Sequence, residues 1–109
     1  MRALVTVSRQ VHRADMGDGD IWSVQITIVA RISAARQISA SIVRGTGCVD
    51  APSQAQADAE AWRAAVDDFC DAAWLEGEVE FEVMGQIAKP AAAARELNAE
   101  WRRRAMVAA

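Results

Sequence analysis

From Trp22 to Ile32 every second residue is apolar: Trp22, Val24, Ile26, Ile28, Ala30 and Ile32. Ser23, Gln25, Thr27, Arg31 and Ser33 fill most of the positions between them. Successive side chains of a strand point to opposite faces, so this pattern describes a long strand with one buried face. Such a strand needs sheet neighbours and a second layer to cover its apolar row. Val29 interrupts the polar row, which predicts partial cover on the outer face too.

The neighbours are legible on either side. Upstream, Val5, Val7 and Val11 share one register, with Thr6, Ser8, Gln10 and His12 opposite. Ala14 to Asp20 contains Gly17 and Gly19 between aspartates, a composition suited to a hairpin loop. Downstream, a turn near Ala34-Ala35 leads to a third, weaker strand through Ile38, Ala40 and Ile42, ended by Gly45-Thr46-Gly47. Three strands in succession predict an antiparallel meander.

The period then changes. Ser53 and Gln56 have the spacing of a capping box, and Trp62, Val66, Phe69 and Ala73 recur on one helical face with Cys70 beside it. Glu60, Asp67 and Asp71 project to the far side, flanked by Asp68, and Gly77 stops the helix. A rod about 35 Å long is expected. Glu78 to Val83 alternates three Glu with Val79, Phe81 and Val83 as a fourth strand, which Gly85 closes. Pro90 opens a second helix with Ala94, Leu97, Trp101, Ala105 and Ala108 on one face. Arg102-Arg103-Arg104 complements the negative end of that helix.

The expected fold is therefore α+β over one domain, residues 1–109. A four-stranded, mainly antiparallel sheet in β-β-β-α-β-α order carries both helices on one face. Its core joins Trp22, Ile26, Ile28, Val66, Phe69, Phe81, Leu97 and Trp101. With 52% apolar and 25% charged residues among 109, the chain has a globular composition. It has no run near the roughly 20 apolar residues that span a bilayer, and no export signal is read, so a cytoplasmic protein is expected. Lys89 is the single lysine and Ala is abundant, which reads as a GC-rich bacterial or phage genome.

Signs of catalysis are weak. His12 has no local carboxylate or nucleophile to work with, and reads as an exposed strand residue; a dyad with Cys48 is the remote alternative. Cys48 and Cys70 lack metal-ligand spacing, so a buried free thiol at Cys70 is favoured over a Cys48–Cys70 disulfide. Asp15, Asp18 and Asp20 do not have the ligand spacing of a calcium loop. Arg44-Gly45-Thr46-Gly47 lacks the Lys-Ser/Thr pair of a phosphate loop. No cofactor motif and no metal set is read.

Charge is the remaining signal. Residues 1–49 carry a balance of +3, residues 50–82 one of −9, and residues 83–109 one of +3. A concentrated sign can steer an oppositely charged partner. Candidate partner-binding residues are Glu60, Asp67, Asp68, Asp71, Glu78, Glu80 and Glu82, with Trp74 beside them; packing of Trp74 under the neighbouring loop is favoured over exposure. The expected function is a small acidic, non-enzymatic interaction module. It would dock a basic surface of a partner protein, as phage-type inhibitors of nucleic-acid-binding machinery do. The alternative is a self-associating structural protein, such as a tail or head component, whose −9 block meets a +3 block of the next copy. A ligand-binding or enzymatic domain with a pocket between sheet and helices ranks third. With a pI near 5.1, direct nucleic-acid binding is not expected, nor is membrane binding.

Overall fold

The computed structural model describes residues 2–15, 20–46 and 54–108. Ser53 and Cys48 lie outside the described residues, as does Asp18 of the first loop. The chain forms β1 (Arg2–Asp15), β2 (Asp20–Ser33), β3 (Arg36–Thr46), α1 (Gln54–Trp74), β4 (Glu80–Val83), β5 (Gln86–Ala88) and α2 (Pro90–Ala108).

The meander is present and longer than its apolar rows suggested. β1 and β2 pair antiparallel from Val5–Ala30 out to Asp15–Asp20, and β2 pairs antiparallel with β3 from Ser33–Arg36 out to Trp22–Thr46. Fourteen-residue strands at about 3.3 Å per residue account for most of the 51 Å long axis.

The sheet itself differs from expectation in two respects: it has five strands in the order β3-β2-β1-β4-β5, and it is mixed. β4 pairs parallel to β1, Arg2 opposite Glu80 and Val5 opposite Val83. The cause is topological. β2 and β3 stack on one side of β1 and leave its other edge free, and α1 carries the chain back so that β4 runs in the direction of β1. The fifth strand comes from a hairpin in which Val83 pairs with Gln86 across Met84-Gly85. Both loop residues have positive φ, 48° and 83°, as a two-residue type I′ turn requires. Gly85 is thus the second residue of a hairpin turn, not a strand terminator.

Both helices cover the same face. α1 lies over β3 and β2, α2 lies over β4 and β5, and the helices touch each other. Ile26, Ile28, Val66, Phe69, Phe81 and Leu97 meet in one cluster with Val24, Val83, Ala61 and Ala65. Phe69 of α1 and Phe81 of β4 pack edge-to-face, centroids 5.5 Å apart and planes at 73°. Trp101 is half-buried against this cluster. Trp22 is half-buried but stands outside it, under the guanidinium of Arg13 at 5.9 Å, because its row lies beyond the part of the sheet the helices roof. α1 ends at Trp74, and Gly77 follows in a turn at φ 56°.

No helix among the described residues is long and apolar enough to cross a membrane.

Candidate functional site

The eight sequence-predicted residues divide between two sides of the molecule. On α1, Glu60, Asp67, Asp71 and Trp74 follow one another at spacings of seven, four and three, which places them along one exposed stripe. Phe69, Val66, Trp62 and Ala73 face the sheet, so this stripe points directly away from it. Asp68 is exposed on the flank of the same helix, about 140° round from Arg63. Glu78 is exposed in the turn that follows.

Glu80 and Glu82 belong elsewhere. Phe81 and Val83 point into the core, so the two Glu between them emerge on the face of the sheet that carries no helix. There Glu80 stands beside Arg2, and Glu82 lies between Leu4 and Ile87, both exposed. The −9 block is continuous in sequence and split in space.

Trp74 is 70% exposed and Leu75 beside it 81% exposed, so the expected burial of Trp74 under a loop is not found. α1 ends at Trp74 and the chain turns away through Leu75 to Glu78, leaving nothing to cover the indole. Leu75 was not anticipated from the sequence, where it sat two residues beyond Ala73, the end of the periodic row. Asp67, Asp68 and Asp71 enter no ion pair among the described residues. Glu76, by contrast, is bound by Arg36 at the start of β3.

Cys70 lies half-buried between the stripe and the core, its thiol free. Burial, and then the charges of Asp67 and Asp71, push its pKa up, which disfavours the nucleophilic thiolate. His12 is exposed on the helix-free face, opposite Ser23. The Arg44-Gly45-Thr46 segment is part of β3, paired with Val24, Ser23 and Trp22, and does not form a loop.

Between the helices runs an open cleft of about 570 Å³, lined by Glu60, Arg63, Asp67, Asn98, Trp101 and Arg102 among others. Its acids and bases are mixed, and it lies between α1 and α2, not between sheet and helices as the third-ranked reading had it. Deeper in, Glu100 is buried and accepts hydrogen bonds from Arg104 Nε at 2.8 Å and from Arg103. Arg104 lies over the ring of Trp62 at 5.4 Å, closing the far end of the helix pair. Hydrogen bonds from Arg104 lower the Glu100 pKa against the opposing effect of burial, and Arg103 adds to the lowering. This cluster locks α2 onto α1 and is occupied with structure.

Among the described residues no group of three or more His, Cys, Asp or Glu side chains could hold a metal ion. No family model, no curated protein and no solved structure matches the chain.

Proposed function

We propose that the protein is a non-enzymatic binding module whose working surface is the outer stripe of α1, and that its partner presents a basic surface with an apolar recess. The observation that carries this is the exposure of Trp74 and Leu75 at the end of a row of unpaired carboxylates. A solvated helix face does not ordinarily end in two large apolar side chains side by side. Trp is the residue most enriched among interface anchors, and charges around such an anchor raise the encounter rate. A surface evolved to hold phosphate fits this chemistry, so the nucleic-acid-binding face of another protein is the partner class we favour.

Glu80 and Glu82 cannot join that contact, because the sheet lies between them and α1. The test is a capture from cell extract with immobilised wild-type chain, followed by kinetics on the purified partner. Reversing Asp67 and Asp71 to Lys should slow association and flatten its salt dependence; Trp74→Ala should speed dissociation. Reversing Glu80 and Glu82 should change neither. A partner whose binding ignores salt, both α1 variants and Trp74→Ala would sink this reading.

A further inference from the structure

The two edges of the sheet are built differently. β5 is three residues long and runs straight into Lys89-Pro90, which blunts it. β3 is eleven residues long, and its interior Gln37-Ile38-Ser39-Ala40-Ser41-Ile42-Val43 holds no charge, no Pro and no Gly. An edge of this length without a protective device is a template for another strand.

We propose that β3 pairs antiparallel with β3 of a second copy about a two-fold axis through Ser41, joining the two sheets into one of ten strands. Full overlap of Arg36–Thr46 with itself sets that register. Arg36 then lies opposite Thr46 of the other copy, Ser39 opposite Val43, and Ile38 opposite Arg44; no two charged residues of like sign face each other.

Charge complementarity singles out a second copy as the occupant. Arg44 is exposed on the helix-covered side of β3, opposite Val24. α1 is anchored over the Arg9–Ile26–Ile42 row by the Arg9–Asp58 ion pair at 2.8 Å. Asp68 lies ten residues further along the helix, about 15 Å on. That distance corresponds to between four and five strand residues, and so to the level of Ile38. Asp68 is on the flank turned away from α2, which overlooks the β3 edge because α2 covers the other end of the sheet. Two-fold pairing brings Arg44 of each copy to Ile38 of the other, beneath its unpaired Asp68. One turn before Asp68 on the same flank stands the half-buried Ala64, a small side chain beside the carboxylate.

This contact is separate from the Trp74 stripe and is read on the protein alone. Sedimentation velocity from about 1 to 200 µM should show two 11.8 kDa chains associating reversibly. Arg44→Glu and Asp68→Lys should each weaken the dimer about tenfold or more, and the two together should restore it to within about threefold. Ser39→Lys, a charge in the middle of the edge, should also weaken it, while Trp74→Ala should leave it unchanged. Retained far-UV circular dichroism shows that each variant is folded. A wild-type monomer at 200 µM overturns the proposal, and so does a dimer indifferent to these changes. Failure of the charge swap to restore association overturns it too, as does a dimer lost on Trp74→Ala.

Discussion

Phe69→Ala tests the packing on which every other placement depends. Phe69 and Phe81 are both fully buried and meet edge-to-face at 5.5 Å, where α1 crosses from the meander toward β4. Removing one ring loses its transfer free energy and leaves a cavity, together about 3–5 kcal/mol. The ring–ring geometry accounts for about 0.5–1.5 kcal/mol of that. A domain of this size has about 5–15 kcal/mol in total, so the variant should still fold at 25 °C with little margin. With a urea slope of about 1–3 kcal/mol/M, the midpoint should fall by about 2 M at an unchanged slope. Phe69→Leu keeps most of the volume and should cost about 1–1.5 kcal/mol, chiefly the lost ring contact. Urea unfolding followed by circular dichroism measures both. A loss under about 1 kcal/mol for Phe69→Ala, with the slope intact, would mean that α1 does not seat this ring against β4.

Trp74 should dominate the solvent-accessible fluorescence: Trp74→Phe should blue-shift the emission and remove most acrylamide quenching, while shifting stability by no more than about 0.5 kcal/mol. Glu100 has its pKa lowered in the folded chain, so its stabilisation is complete above the unfolded carboxylate value near 4.3 and fades as pH falls through the lower folded value. Acid titration of stability should accordingly be shallower in Glu100→Gln than in the wild type. Cys70 has its pKa raised, so the folded chain holds a proton that the unfolded chain releases above about pH 8.5, and stability should decline as pH rises through that window. Urea midpoints between pH 8 and 10 should fall more steeply for the wild type than for Cys70→Ala.

The elements whose side chains repeat over many residues were legible in the sequence. Alternation placed β1, β2, β3 and β4, and the 3.6-residue period placed α1 and α2, with Pro90 at the first position of α2. β5 was not legible, because three residues cannot establish a period, and its hairpin puts Met84 in a left-handed conformation that favours glycine. The position of β4 beside β1 was also beyond local reading. Alternation shows which residues of a strand are buried but says nothing about which strand lies alongside. The exposure of Trp74 depended on where α1 ends, a matter of a single turn that periodicity does not resolve.

That placement of β4 governs what the acidic block can do. Had Glu78 to Val83 continued the surface of α1, its three Glu would have extended the carboxylate stripe into one broad negative field. Instead Phe81 and Val83 must face the helices to complete the core, and the two-residue period sends Glu80 and Glu82 to the opposite side. There Arg2 stands next to Glu80 in the parallel register, so part of the charge is met within the sheet. Arg63 of α1 and Arg102 of α2 line the cleft beside Asp67, but Asp68 and Asp71 further along α1 have no such base beside them among the described residues, and Arg36 is committed to Glu76. The unbalanced negative potential is therefore concentrated on the C-terminal half of one helix, beside Trp74. A cationic partner steered by that field arrives where the exposed indole can hold it.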